Sequence, residues 1–320
     1  MRRLYWEWPI AIYLFLGGMG GGIFFLSMIF TQILCPGIEP IAQALAWPCF
    51  LALVWLGGGC FLLVFELGQP GVFLKVFFNS LTSIIGHGAR ILSVCLIFGF
   101  FWFLSYTPWD WLTNIFAPFR AFNMWLAGIA GLCIMLYTGI LLSSLKAHSF
   151  WASPALPVLF TVSALSTACA CIMLSVGFWP AQAGIVNYIA MVEINEVLHL
   201  LDMILVFCEL IVLLVMVLSF LGAGNVTAHA VAVRWVKGKT AKFFWIGMIG
   251  IGLVIPELLN IAGYTALASV LVLCGGLLLR FLIVWSDERQ PLPGEELYFS
   301  KLPKGDEAFI TRWDYSKNEF

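Results

Sequence analysis

A helix that crosses a bilayer needs about 20 consecutive apolar residues. This chain contains eight such runs, roughly 9–34, 42–65, 84–106, 121–145, 155–178, 186–221, 243–262 and 264–286. Soluble domains are about half apolar and about a quarter charged. Here 62% of residues are hydrophobic and 10% are charged, so lipid has to be the solvent for much of the surface. The fold class this implies is all-α integral membrane, with eight transmembrane helices in one domain spanning 1–286. The sixth run is long enough to tilt or to project beyond the bilayer. Only Ile261-Ala262-Gly263-Tyr264 separates the seventh from the eighth. The first run follows Met1-Arg2-Arg3, as a signal peptide would, but it is too long and aromatic for one and no small-residue cleavage site closes it.

Eight crossings return both termini to one side. Fifteen of the sixteen lysines and arginines then fall on that side, Arg280 among them at the end of the last helix, and only Arg120 lies opposite. Positively charged loops stay in the cytoplasm, which places both termini there. No basic groove interleaved with aromatics is present, so nucleic acid is not an expected partner. The nine cysteines form no CxxC pair and sit almost entirely inside apolar runs, which reads as small residues in helix cores rather than zinc or iron–sulfur ligands.

The tail, residues 287–320, is different in kind. It is charged, carries Pro291, Pro293 and Pro303, and contains the segment Phe309-Ile-Thr-Arg-Trp-Asp-Tyr315. It suits either a disordered tail or an arm that orders against a partner subunit.

Polar side chains inside a bilayer are costly, so each one in this chain asks for a reason. Trp6 and Trp8 are placed to anchor the first helix at the interface. Tyr13 lies one turn further in. The glycines from Gly17 to Gly22 allow close approach of another helix or of a flat ring. Glu66 closes the second helix, either as a solvated end or as a carboxyl that exchanges protons. His87 and Arg90 form a polar patch at the start of the third. The stretch Tyr137 to His148 brings a phenol, hydroxyls, Lys146 and a histidine to the end of the fourth, where Lys146 and His148 are placed to meet a partner or lipid headgroups. On the sixth helix, Glu196, His199, Asp202 and Glu209 fall within an arc of about 140°, with Glu193 outside it. Such a stripe faces a bundle interior or a water-filled path and serves as a proton relay or as a structural polar seam, which Glu257 and Asn260 could join. Haem needs two axial ligands at matching depth on facing helices. Only His199 is plainly intramembrane, so neither haem nor an iron–sulfur cluster is expected in this chain.

These motifs resemble the NrfD/PsrC family of polysulfide-reductase-type membrane subunits. The resemblance covers most of residues 5–286. It rests on the glycine-rich first helix, Glu-Leu-Gly-Gln-Pro at 66–70, Asn79 to Arg90, Tyr137 to Pro157, Leu165-Ser-Thr167 and Gly275 to Arg280. It implies two four-helix bundles in a bacterial or archaeal cell membrane and a site for menaquinone or ubiquinone. It also implies a ferredoxin-like iron–sulfur partner subunit, leading to a molybdopterin-type catalytic subunit. By motif match Tyr137 would hydrogen-bond the quinone and Glu66 would exchange protons. Tyr13 falls where some members carry a histidine, and Ile10 where they carry an asparagine. The function this implies is a quinone/quinol-reactive anchor of an oxidoreductase, with Tyr13, Tyr137 and Arg90 at the quinone, Glu66 and His87 exchanging protons, and the sixth-helix ladder relaying them. A secondary transporter or ion channel fits the intramembrane carboxylates and glycine-broken helices too.

Overall fold

The computed structural model describes residues 8–66, 83–107, 109–146, 148–178, 185–222 and 226–286. The tail, residues 67–70, Asn79 and the side chain of Glu66 lie outside the described residues. The described residues contain eight helices able to cross a membrane: Trp8–Leu34, Glu39–Val64, Ile84–Leu104, Asp110–Ser143, Ala155–Val176, Ile189–Gly222, Phe243–Ile261 and Thr265–Val284. The eight apolar runs therefore become the eight spans. The fourth starts earlier than its apolar run, because a short helix Asp110–Phe116 and one 3-10 turn lead into the main segment Arg120–Ser143. The third starts where the Ser83 hydroxyl accepts a hydrogen bond from the Gly86 amide at 3.4 Å, an N-cap that satisfies an otherwise orphan donor.

The first four spans pack around one another, as do the fifth with the sixth and eighth and the seventh with the eighth; contacts of the first span with the fifth and eighth, of the fourth with the fifth, and of the second with the fifth and sixth join the two groups. The first span is the hub, and its glycines explain how. A methyl on Gly20 would lie 2.7 Å from Leu56 Cγ of the second span, one on Gly21 2.7 Å from the Gly131 carbonyl oxygen of the fourth, and one on Gly22 2.7 Å from Ala168 Cβ of the fifth. These residues face helices, and small residues let backbones approach closely where apolar lipid gives no hydrophobic drive to associate. The seventh and eighth spans repeat the device, Gly252 against Gly275.

Two features were not legible in the apolar pattern. The seventh span is wound as a π-helix from Phe243 to Val254, a form that is rare beyond a single turn. Between the sixth and seventh spans, a twelve-residue helix, Val226–Lys237, buries Ala228, Val231, Ala232 and Trp235 against the bundle.

At the far end, Arg120 is tied down. Its Nη1 meets Glu39 at 2.8 Å, its Nη2 donates to the Ser105 carbonyl at 2.8 Å, and its guanidinium stacks 4.4 Å from the Tyr106 ring centroid. Burial pushes the Tyr106 phenol up to about 12. Arg280, in contrast, does not sit at the helix end where the charge count placed it. It lies in the eighth span with 1% of its surface exposed. A cation there is balanced by protein rather than by headgroups.

Candidate functional site

Two polar regions stand out, one at the end of the bundle shared by the start of the first span and the end of the fourth, the other running through the fifth to eighth spans. In the first, Tyr13 and Tyr137 are both buried, and their phenols are close enough to interact electrostatically, with the Cys60 thiol beside Tyr13. Each ring rests against a glycine. A Cβ at Gly59 would lie 3.3 Å from Tyr13 Cδ2, and a Cβ at Gly88 would clash with the Cζ end of the Tyr137 ring. Four spans thus converge on two hydroxyl donors, and the glycines are what let the two rings pack closely against the neighbouring helices.

His87 and Arg90 begin the third span at this same end. His87 is exposed, with Nδ1 2.9 Å from the Ser83 carbonyl oxygen. Arg90 is half-buried and makes interactions of its own. Glu66 closes the helix of the second span. His148 departs from expectation. It is buried, its ring stacks on Trp151 at 4.4 Å between centroids, and the Trp151 indole donates to the Ile283 carbonyl at 2.7 Å. It therefore helps lock the loop after the fourth span onto the eighth, while Lys146 is the exposed member of that pair.

In the second region the sixth-span stripe divides by depth. Glu196 is exposed and His199 half-buried, whereas Asp202 and Glu209 are buried. Glu193, placed off the arc, is exposed. Asp202 accepts a hydrogen bond from Ser166 at 2.7 Å through Oδ1, and its Oδ2 has no protein partner. Glu209 interacts electrostatically with Arg280 and with the Ser163 hydroxyl. Arg280 donates to the Ser163 hydroxyl at 2.8 Å and to the Phe160 carbonyl at 3.2 Å, and stacks 4.4 Å from the Phe160 ring centroid. Toward the far end, Glu257 interacts electrostatically with both Asp202 and His199. One turn beyond, Asn260 is buried with neither amide atom paired to protein.

The seam also reaches the first span. A methyl on Gly18 would lie 3.8 Å from Arg280 Nη2, and Gly18 is five residues from Tyr13, roughly 7.5 Å of helical rise. The sequence reading missed Ser163, Ser166 and the interior role of Arg280. The signal for Arg280 was present: Leu277 to Leu279 precede it and Phe281 to Val284 follow it, so an interfacial reading left four apolar residues with no membrane to occupy.

The order of these elements, and the match of residues 1–287 to the family described as "Polysulphide reductase, NrfD", decide the family. The chain belongs to it. Among relatives of this NrfD-family protein, the C subunit of polysulfide reductase from Wolinella succinogenes is 28% identical over 88% of this chain and 94% of its own length. Protein NrfD of Escherichia coli is 25% identical over 90% of this chain and 96% of its own. A NrfD homolog of Haemophilus influenzae is 27% identical over 89% and 95% respectively. The similarity therefore runs through both polar regions and nearly the whole length of each relative.

Proposed function

We propose that this NrfD-family protein is the membrane-anchor and quinone/quinol-reactive subunit of a multi-subunit oxidoreductase in a bacterial or archaeal cell membrane, with both termini in the cytoplasm. The half-reaction is quinol ⇌ quinone + 2 H⁺ + 2 e⁻, with menaquinone or ubiquinone as the substrate. A ferredoxin-like iron–sulfur subunit exchanges the electrons and passes them to or from a molybdopterin-type catalytic subunit. The observation that carries this reading is the pair of buried phenols at one end of the bundle: Tyr13 and Tyr137 interact electrostatically, each packs on a glycine of a neighbouring span, and two hydroxyl donors suit the two carbonyls of a quinone ring. Tyr13 and Tyr137 hold the ring oxygens, Arg90 adds positive charge beside them, and Glu66 with His87 exchanges protons at that end.

The seam supplies a route for protons from the far side. Glu196, His199 and Glu257 form its outer part, Asp202 with Ser166 its middle, and Glu209 with Ser163 and Arg280 its inner part. Guanidinium does not release its proton in proteins, so Arg280 sets the charge of the inner part and does not relay. The unpaired Asp202 Oδ2 and Asn260 amide support water between these groups.

The test is purification from native membranes followed by quinol turnover. An iron–sulfur subunit should co-purify, and Tyr13→Phe and Tyr137→Phe should each raise KM for quinol or lower turnover. Unchanged kinetics in both variants overturn the site assignment. Asp202→Asn in the reconstituted complex should keep quinol turnover while lowering membrane-potential generation; an unaltered potential rules out the relay. The buried carboxylates also favour a secondary transporter, which would purify alone and show no quinol turnover.

A further inference from the structure

The corner between the Val226–Lys237 helix and the seventh span is built more tightly than a connecting loop requires. The Gly238 amide and the Thr240 hydroxyl both donate to the Arg234 carbonyl, at 3.0 Å each, and the Trp245 indole donates to the Val236 carbonyl at 3.1 Å. A Cβ on Gly238 would lie 2.7 Å from Arg234 Cα, so only glycine closes this turn. Trp235 pins the helix from below by donating to the Ser286 hydroxyl at 2.9 Å. Three lysines, Lys237, Lys239 and Lys242, project from this fixed corner, and all are exposed. No aspartate or glutamate occurs anywhere between Glu209 and Glu257. The corner therefore carries three positive charges with no acidic neighbour in its own sequence.

Directly below it the π-helical winding decides what meets lipid. With i→i+5 hydrogen bonding, residues four and five apart share a side. Lys242, Ile246, Ile251 and Ile255 follow that spacing, and all four are exposed. An α-helical register would have continued from Ile246 to Ile249 and Leu253 instead, and Leu253 is buried. The π-segment thus draws a continuous apolar stripe down from a lysine cluster, flanked at the top by exposed Phe243 and Trp245.

We propose that this corner is a binding site for one anionic phospholipid, with its phosphodiester headgroup held by Lys237, Lys239 and Lys242 and an acyl chain along Ile246, Ile251 and Ile255. The chemistry is that of a basic cluster at the membrane interface, where each lysine contributes about 1 kcal/mol of attraction to anionic lipid. The stripe continuous with it is what a free phosphate or an acidic protein segment has no use for. The lysines' aliphatic stems span the boundary between the two parts.

The full chain in detergent, incubated with equal amounts of phosphatidylglycerol and phosphatidylcholine of matched acyl chains, is read by native mass spectrometry. Wild type should retain phosphatidylglycerol preferentially. The variant Lys237→Gln/Lys239→Gln/Lys242→Gln should lose that preference, by roughly five-fold for each lysine, the fold-change that corresponds to about 1 kcal/mol. Lys→Arg at the same three positions should keep it, as should Lys146→Gln, an exposed lysine elsewhere at the same end. Ile246→Asn should weaken retention of both lipids at this site. Three results overturn the proposal: no preference in wild type, an undiminished preference in the triple glutamine variant, or displacement of the lipid by an equal concentration of glycerol phosphate, which would mark a site for the free anion. Loss of a co-purifying protein in the triple variant with lipid preference intact would assign the corner to a subunit interface instead. None of these readouts depends on quinone turnover.

Discussion

At the residue scale the seam rests on charges that balance only as a set. Arg280 and Glu209 are both buried; Arg280 donates to the Ser163 hydroxyl, and Glu209 interacts electrostatically with Arg280 and Ser163. Removing one of two opposite buried charges leaves the other uncompensated, at up to about 3–5 kcal/mol. Arg280→Gln should therefore lower the Tm of the purified chain sharply, measured by thermal aggregation in detergent, and Glu209→Gln in the same background should recover part of the loss. If the double variant is as unstable as the single, the two residues are not partners. Tyr137 makes a contrasting case. Phenylalanine keeps the ring on Gly88 and removes only the hydroxyl, so Tyr137→Phe should leave Tm unchanged while changing quinol kinetics. Gly88→Val should do the reverse of a clean probe, because its side chain would occupy the space of the Tyr137 ring, and both folding yield and activity should fall.

At the scale of the element, helix crossings and end clasps differ in weight. The first and fourth spans touch backbone to backbone at Gly21 and Gly131, where a methyl would lie 2.7 Å from a carbonyl oxygen with no side chain to swing aside. Gly21→Leu should abolish accumulation of folded protein, read by size-exclusion chromatography after extraction. The clasp at the far end is lighter. The Arg120–Glu39 pair is part-exposed, and exposed pairs contribute about 1 kcal/mol or less. Glu39→Gln should lower Tm little, whereas Arg120→Ala should cost more, since it also releases the Ser105 carbonyl and the Tyr106 ring.

At the scale of the whole molecule the spans alternate direction, so every loop is assigned to one side or the other. Alkaline phosphatase fused after Gly37 or Gly263, both loop glycines with positive φ, should be active if those loops face away from the cytoplasm. Fusion after Gly238 should be inactive. The opposite pattern would invert the topology and move the Tyr13–Tyr137 end to the outer face. The two polar regions approach each other at the first span, where Gly18 lies beside Arg280. Changes in one region should thus affect the other through that crossing, and Gly18→Ala is the variant to watch for altered membrane potential with unaltered quinol binding.

The sequence alone determined that the chain is an eight-span helical membrane protein. Apolar run length is set by bilayer thickness, a constraint that acts on each run separately and is readable without knowing its neighbours. It also brought Tyr13, Tyr137, His87 and Arg90 to one end, because depth along a helix follows from counting residues, and it placed Asp202 and Glu209 on one side of the sixth span by their angular spacing. What turns toward what was decided only by the tertiary structure. The sequence allowed the glycines of the first span to face a ring or a helix, and the packing turns them to helices. It put Arg280 at a surface and His148 toward a partner, and both are buried. It could not supply Ser163 and Ser166 as partners, since serines are common in membrane helices and only the crossing of the fifth and sixth spans aims these two at Glu209 and Asp202. The π-winding of the seventh span is equally invisible to apolar pattern, because a uniformly apolar segment has no periodicity to reveal its pitch.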